Sequence, residues 1–362
     1  MNLPFRLAIA GLGLVGKRHA EAIAMTPDVE LVAVVEPSKN GKTAAEELGL
    51  SCFETIGTLL DAVEVDGVIL ATPTPLHVEQ AATCVLRDCP VLVEKPIGNS
   101  SAEAFSLVRQ AEQKNVPLLV GHHRRYNPLI QRAKEAITEG VIGDVRAVHG
   151  TCWFYKPDHY FEAAPWRTKD GAGPISVNLV HDIDLIRYLC GEITGVQAIA
   201  MPSARGFENE DIASALLEFD NGAVGTISVS DSVVSPWSWE FTSRENPKYP
   251  PTGESCYMIG GSQGALSLPD MRVWSHDKQQ QDWWTPMSAT SLLRDASDPL
   301  VNQIRHFRDV VQSGAEPVVT GAEGLRTLQV VEAIQVSARQ RARVEIPRNE
   351  NKTMTPLRSV II

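Results

Sequence analysis

A glycine-rich hexapeptide, GLGLVG, occupies residues 11–16 and follows an apolar run. Gly11 would permit a tight turn, Gly13 would let the backbone approach a pyrophosphate, and Gly16 would allow the next helix to pack closely on the strand. The N–H groups and the positive dipole end of that helix suit phosphate oxygens. We therefore expect a dinucleotide to bind along Gly11, Leu12, Gly13, Leu14, Val15 and Gly16.

Glu36 stands 20 residues after Gly16, at the end of the second apolar run. A carboxylate at this position accepts hydrogen bonds from the adenosine ribose hydroxyls and repels a ribose 2′-phosphate. The sequence therefore favours NAD over NADP as the cofactor. NADP stays open, because Ser38, Lys39 and Lys42 follow closely and could hold that phosphate.

Two further segments, ATPTPLH (71–77) and EKP (94–96), also follow apolar runs. Ligands of parallel sheets bind outside the carboxyl ends of the strands, so these segments should border the cofactor. Lys95 would then lie near the nicotinamide, where it could act as a base or stabilise a developing alkoxide. The residues that we expect around the cofactor are Thr72, Pro73, Thr74, His77, Glu94 and Lys95.

Together with PWRTKDGAGPISVNLVHDIDLIRYLCG (165–191), these motifs resemble the glucose–fructose oxidoreductase / inositol dehydrogenase / rhizopine-catabolism (Gfo/Idh/MocA) family. The resemblance spans nearly the whole chain. It implies that Lys95 and His181 carry catalysis, with NAD or NADP as the hydride carrier and sugars, cyclitols or their acids as substrates. It also implies that Trp166 and Arg167 lie near the cofactor or the substrate, although a packing tryptophan with a solvated arginine stays open. A large sheet in the second domain is expected to build a homodimer or homotetramer.

The sequence departs from the family pattern beside the histidine. Many members carry an aspartate four residues before it, whereas this chain has Val177, followed by Asn178. Asn178 could hold a substrate hydroxyl without ionising. We assign proton transfer to His181 and charge stabilisation to Lys95, and the reverse assignment stays open. A packing role for His181, satisfied by Asp184 three residues on, is the alternative.

A third polar segment, HHRRYNP (122–128), follows the last strand-like run of the first domain. Arg124 and Tyr126 are candidates for contact with a substrate carboxylate or hydroxyls, since arginine makes bidentate contacts. The alternative is that Arg124 and Arg125 make interdomain salt bridges while Tyr126-Asn127-Pro128 starts a helix. The tryptophans of the second domain are expected to pack in a core or an interface.

The spacing of apolar runs predicts an α/β fold. Over residues 1–123, β-branched runs alternate with helix-like segments, which is typical of a doubly wound parallel Rossmann sheet. Residues 124–345 are expected to form a second α/β domain with a large, mostly antiparallel open sheet. Its clearest signal is SALLEFDNGAVGTISVS (214–230), where Asn221-Gly222 would supply the positive φ angles of a hairpin. Residues 346–362 are expected to form a C-terminal arm.

Composition limits the kinds of partner that we expect the protein to bind. The net charge of −11 and the lack of a basic run disfavour nucleic acid. No apolar run reaches membrane-spanning length, and the short N-terminal run leads into glycines rather than a signal-peptide cleavage site. Six cysteines without CxxC spacing argue against a metal site and favour a reducing cytoplasm. A non-catalytic Rossmann sensor, a redox-neutral enzyme with bound cofactor, and a relative that reduces an imine, biliverdin or a dihydrodiol remain alternatives.

Overall fold

The computed structural model describes residues 3–276, 281–293, 295–347 and 358–360. The chain divides into two compact units, Met1–Asn127 with Ser297–Leu328, and Pro128–Ala296 with Gln329–Ile362. The first unit thus contains a segment, Ser297–Leu328, that the sequence placed in the second domain. The physical reason is apolar burial, because Ile304 and Phe307 of this segment lie in one core cluster with the first strand.

The first unit is built on a six-stranded parallel sheet, as predicted. Its strands are β1 (Phe5–Ala10), β2 (Val29–Val35), β3 (Ser51–Phe53), β4 (Gly67–Leu70), β5 (Val91–Val93) and β6 (Leu118–Val120). Their order is β3-β2-β1-β4-β5-β6, so the direction of winding reverses between β1 and β4. That reversal is the point where doubly wound sheets bind ligands. The short strand β3 was not predicted, because its residues Ser-Cys-Phe do not form the buried apolar run by which the other strands were identified.

Helices cover both faces of this sheet. They are α1 (Leu14–Ala24), α2 (Lys39–Glu47), α3 (Ile56–Ala62), α4 (His77–Leu86) and α5 (Ser101–Lys114), with α10 (Pro299–Ser313) from the later segment. Successive strand residues point to opposite faces. Leu7 and Ile9 therefore pack in the cluster that contains α1 and α10, whereas Ala8 and Ala10 pack in the cluster that contains α4 and α5.

The second unit holds a ten-stranded mixed sheet within the described residues. Its strands are β7 (Val145–Trp153), β8 (Ile193–Pro202), β9 (Glu210–Phe219), β10 (Val224–Ser230), β11 (Tyr257–Gly261), β12 (Gly264–Leu268), β13 (Arg272–Ser275), β14 (Ser288–Ser291), β15 (Arg343–Glu345) and β16 (Arg358–Val360). The order is β14-β13-β12-β11-β7-β10-β9-β8-β15-β16. Neighbouring strands of this sheet are antiparallel, except for the parallel pair β7–β10. This confirms the predicted large, mostly antiparallel sheet.

One face of this sheet forms a core with helices. These are α6 (Pro128–Thr138), α8 (Val180–Cys190) and α11 (Gly321–Gln340), and two short helices are α7 (Asp158–Glu162) and α9 (Trp239–Thr242). On β9, Ala213, Ala215 and Leu217 enter the core, while Leu216 between them is half exposed. The alternation matches the two-fold side-chain period of a strand.

The β9–β10 hairpin forms, but not with the expected two-residue turn. Only Gly222 has a positive φ, of 82°. Its N–H donates to the Phe219 carbonyl at 3.1 Å, and the Phe219 N–H donates to the Ala223 carbonyl at 3.1 Å. This is the three-residue loop with glycine in the left-handed position. Asn221 instead donates its side-chain amide to the Cys190 carbonyl at 2.8 Å.

The predicted arm over residues 346–362 falls largely outside the described residues. Its described part, β16, pairs antiparallel with β15. Among the described helices, none combines the length and the apolar character that crossing a bilayer requires.

We expect Phe307→Ala to destabilise the first unit by about 3–5 kcal/mol, because it empties a fully buried ring site. The Phe307 ring lies edge-on to Phe5, with 6.0 Å between centroids, and a Cβ on Gly67 would come within 2.8 Å of it. Urea unfolding measures the change. Arg305→Ala, on the exposed side of the same helix, is the control and should stay within about 0.5 kcal/mol. Equal unfolding curves for both variants would contradict the packing of α10.

Candidate active site

The glycine loop closes because two of its residues lack a Cβ. Gly11 has a φ of 89°, and a Cβ on it would lie 2.6 Å from the Ala71 carbonyl oxygen. A Cβ on Gly16 would lie 1.8 Å from the Gly11 carbonyl oxygen. Gly13 differs, since a Cβ there would meet nothing within 4 Å, and no side chain caps α1. The loop therefore leaves an uncapped helix N-terminus beside open space, which fits a pyrophosphate.

Glu36 closes the far side of this loop. Its Oε2 accepts from the Leu12 N–H and its Oε1 from the Ser38 N–H, both at 2.9 Å. Burial raises the pKa of Glu36, but these backbone hydrogen bonds outweigh that effect and leave the pKa lowered. Ser38 caps α2 through the Gly41 N–H, and Lys42 pairs with Glu54. The carboxylate is thus ionised and fixed at the end of β2.

His77 joins the two loops that follow β4 and β5. Its Nε2 lies 2.8 Å from the Thr72 carbonyl oxygen and its Nδ1 lies 2.8 Å from the Pro96 carbonyl oxygen. Both partners are carbonyl oxygens, which can only accept. A neutral imidazole donates from one nitrogen alone, so a neutral His77 makes a hydrogen bond to one of the two carbonyls and lies against the other. Pro73 precedes a 3-10 turn over Thr74–Leu76, and the Thr72 hydroxyl donates to the Gln80 side-chain oxygen at 2.7 Å. His77 is therefore a buried clamp between loops.

Glu94 points into the unit. Its Oε1 lies 2.8 Å from Nε2 of His19, a fully buried residue of α1, and its Oε2 accepts from the Lys95 N–H at 3.1 Å. Burial raises the Glu94 pKa, but the His19 hydrogen bond and the charges of His19, His123 and Lys95 lower it to about 2. Lys95 itself is half-buried and precedes a cis peptide bond to Pro96. Glu94 thus ties the Lys95 segment to the glycine-loop helix.

The segment after β6 is more buried than its polar residues indicated. Arg124 and Tyr126 are 5% and 2% exposed. The centres of the Tyr126 and His306 rings lie 5.4 Å apart, and the Tyr126 carbonyl accepts a hydrogen bond from the Asn302 side chain. Arg125 donates to the Glu323 carboxylate at 2.8 Å, which is a salt bridge inside the first unit. The structure therefore places Tyr126 in a core, and it gives Arg125 an ion pair within the first unit instead of the expected interdomain one.

In the second unit, Asn178 and His181 lie three residues apart where a π-turn meets α8. Ile175–Leu179 forms a π-helical turn that leads into α8, and Glu210 accepts from the Ile175 N–H at 3.0 Å. Asn178 and His181 are half-buried, whereas residues 182–187 are all buried. Residues three apart on a helix share a face. Asp182, on another face, accepts a hydrogen bond from the Tyr257 hydroxyl.

A buried lysine that the sequence reading did not single out contacts Asn178. The Lys156 Nζ donates to Asn178 Oδ1 at 2.6 Å and lies 3.8 Å from Asp231 Oδ2. Burial lowers the pKa of Lys156, although the Asp231 charge acts in the opposite direction. Asp231 also accepts from Arg205 at 2.8 Å. A lysine directly after an apolar strand run and before a proline was the available signal.

Trp166 and Arg167 follow α7. Trp166 is 58% exposed, and the Arg167 guanidinium lies 3.9 Å from the centre of the Tyr160 ring and donates to the Tyr160 carbonyl at 2.6 Å. Both residues are therefore in the second unit, as are Asn178 and His181, while the other predicted cofactor residues are in the first. Within the described ranges, no group of three or more His, Cys, Asp or Glu could hold a metal ion.

Glu94→Gln should destabilise the protein at neutral pH and lose that effect in acid. The lowered pKa means that the ionised carboxylate contributes stability above about pH 4.3, which disappears as the pH falls towards 2. At about 1.36 kcal/mol per unit, the difference from wild type is about 3 kcal/mol at pH 7. Urea unfolding between pH 7 and pH 3 measures it, with the exposed Glu47→Gln as control. A gap that stays constant over this range would refute the charged pairing.

Comparison with known proteins agrees with this geometry. The model of the oxidoreductase family with an NAD-binding Rossmann fold matches residues 5–122, and the GFO/IDH/MocA C-terminal domain model matches residues 130–267. The rhizopine catabolism protein MocA of Rhizobium meliloti is 26% identical over 336 residues, covering 91% of this chain and 93% of that protein. Inositol 2-dehydrogenase of Rhizobium meliloti (strain 1021) is 26% identical over 350 residues, covering 94% and 99%.

A solved structure matches over the same extent. The WlbA dehydrogenase from Bordetella pertussis, in complex with NADH and UDP-GlcNAcA, has a TM-score of 0.77 at 25% identity and covers 96% of this chain and 100% of that chain. Both units thus have counterparts in one group of oxidoreductases. The chain belongs to the Gfo/Idh/MocA family of oxidoreductases with an NAD-binding Rossmann domain.

Proposed function

We propose that the protein is an NAD-dependent dehydrogenase that acts on a secondary hydroxyl of a sugar, a cyclitol or a sugar acid. The observation that carries the proposal is the ionised Glu36, fixed against the Leu12 N–H at the edge of an uncapped α1. This arrangement offers acceptors to ribose hydroxyls and repels a 2′-phosphate. The similarity to inositol 2-dehydrogenase supports a polyol-type substrate.

The cofactor residues divide by the part of NAD that each would contact. The uncapped N–H groups of Leu14, Val15 and Gly16 would hold the pyrophosphate. The loops after β4 and β5, clamped by His77, would border the nicotinamide ribose. The family resemblance adds Trp166 and Arg167 to the residues proposed for the cofactor or the substrate. Lys42, which could hold a 2′-phosphate, is paired with Glu54, and this disfavours NADP.

Each reacting group then has a definite task. The bound nicotinamide supplies the hydride acceptor, since no side chain can accept a hydride. His181 takes the hydroxyl proton, because it is half-buried near Asn178 and an imidazole can accept and release a proton near neutral pH. Lys95 stabilises the developing alkoxide, and Asn178 orients the substrate. Arg124 serves the site by bracing the segment after β6, given its burial.

Lys95→Met and His181→Asn should each lower kcat by about 10²–10⁴-fold, the usual contribution of a positioned proton-transfer or charge-stabilising group. NADH formation is followed by absorbance with myo-inositol, aldoses, aldonates and uronates as substrates. NAD affinity should change little for His181→Asn. The exposed Lys248→Met is the control and should match wild type.

Wild-type inactivity with every substrate, despite NAD binding, would refute the dehydrogenase proposal. A cofactor that stays bound through purification, together with turnover that yields no net NADH, would instead establish a redox-neutral reaction.

Glu36→Gln should shift cofactor preference towards NADP by about tenfold or more, because it removes the charge that repels a 2′-phosphate while keeping the side-chain size. One of the two hydrogen bonds, to Leu12 or to Ser38, is lost, which costs about 1 kcal/mol of stability. Titration of tryptophan fluorescence with NADH and NADPH gives the ratio of dissociation constants. An unchanged ratio would show that Glu36 does not face the ribose.

The outer face of the second sheet supports assembly of two or four copies. It exposes Ile199, Met201, Leu216, Val224 and Met258, each by 47–58%. Exposed apolar side chains on neighbouring strands are typical of an interface. We propose a homodimer or homotetramer through this face. The six free cysteine thiols are consistent with a reducing compartment such as the cytoplasm.

A further inference from the structure

Asn178 is held in one of its two amide orientations. The Lys156 Nζ lies 2.6 Å from its side chain, and an ammonium group has hydrogens to donate but no lone pair to offer. The atom that faces Lys156 must therefore be Oδ1. Among the described residues, none accepts a hydrogen bond from Nδ2 of Asn178, and the Asn178 side chain is half-buried. Both Nδ2 hydrogens remain for a ligand.

Lys156 is fixed firmly enough to impose this orientation. Its backbone N–H donates to the Asp231 carbonyl at 2.9 Å, and its own carbonyl accepts from Arg205 at 2.9 Å. Its ammonium group lies 5.0 Å from the centre of the Tyr160 ring and is 3.8 Å from the Asp231 carboxylate. The residue is 5% exposed. Swinging Lys156 away would break contacts on several sides.

The contact also strengthens Asn178 as a donor. A cation that binds the amide oxygen polarises the amide, so its N–H groups donate more strongly. Such donors gain most from an ionised acceptor. Asn178 lies three residues before His181, where the π-turn meets α8, and both side chains are half-buried. It would therefore meet a substituent next to the carbon that His181 serves.

We propose that Lys156 is a positioning residue that fixes the Asn178 amide with its N–H₂ group towards the substrate, and that this position selects a carboxylate. The substrate class is then a hydroxy acid, such as an aldonate or a uronate, rather than a neutral polyol. The inference rests on the proposed function for the presence of substrate at Asn178.

Binding is measured by calorimetry on the full chain with saturating NADH, so that no turnover is needed. The probes are D-gluconate with D-glucitol and D-glucuronate with D-glucose, because each pair differs by one carboxylate. Wild type should bind one acid at least about tenfold more tightly than its neutral partner. Asn178→Asp, whose carboxylate still pairs with Lys156 but only accepts, should lower that ratio by about a hundredfold.

Lys156→Met should lower the ratio by about tenfold and leave the neutral affinity within about twofold, because the freed amide can rotate to offer its oxygen. Asp231 keeps its Arg205 partner in this variant, so the fold should persist, and melting temperature checks it. Lys248→Met is the control. An unchanged ratio in both variants, or no preference for an acid in wild type, overturns the proposal. The expected ratios without any NADH formation from NAD would uphold it and refute the dehydrogenase activity.

Discussion

The absence of two Cβ atoms allows the first unit to form its ligand-binding edge. Gly16 packs so closely on the Gly11 carbonyl, and Gly11 on the Ala71 carbonyl, that any larger residue would overlap backbone. This approach brings the start of α1 onto the ends of β1 and β4, where the sheet reverses its winding. The start of α1 then lies where the Glu36 carboxylate accepts from the Leu12 N–H. His77 holds the neighbouring loop after β4 through the Thr72 carbonyl.

Both units also bury charge, and each compensates it locally. Glu94 would be costly to ionise alone, but His19 and the Lys95 N–H satisfy its oxygens. Lys156 is similarly placed between Asn178 and Asp231. Charges held in this way are rigid, because leaving them unpaired costs far more than the pairing itself gains. Glu94 thus holds the Lys95 segment within the first unit, and Lys156 holds Asn178 within the second.

The two sheets differ in how many of their faces are covered by helices. The parallel sheet is covered on both faces, so only its strand ends remain for a ligand. The second sheet has helices on one face and leaves apolar residues such as Leu216 and Met258 exposed on the other. The first unit thus leaves the ends of its strands accessible, whereas the second unit leaves one whole face of its sheet accessible.

The sequence by itself determined the parallel sheet, the hairpin over 214–230, and the glycine loop with Glu36, because these depend on local periodicity and on fixed spacing. It could not place Ser297–Leu328 in the first unit, since amphipathic helices do not specify which core they cover. It also missed His19 and Lys156. A histidine or lysine in sequence is ordinarily a solvated residue, and only the tertiary structure, by bringing Glu94 and Asn178 within 2.8 and 2.6 Å, made each of them part of a site.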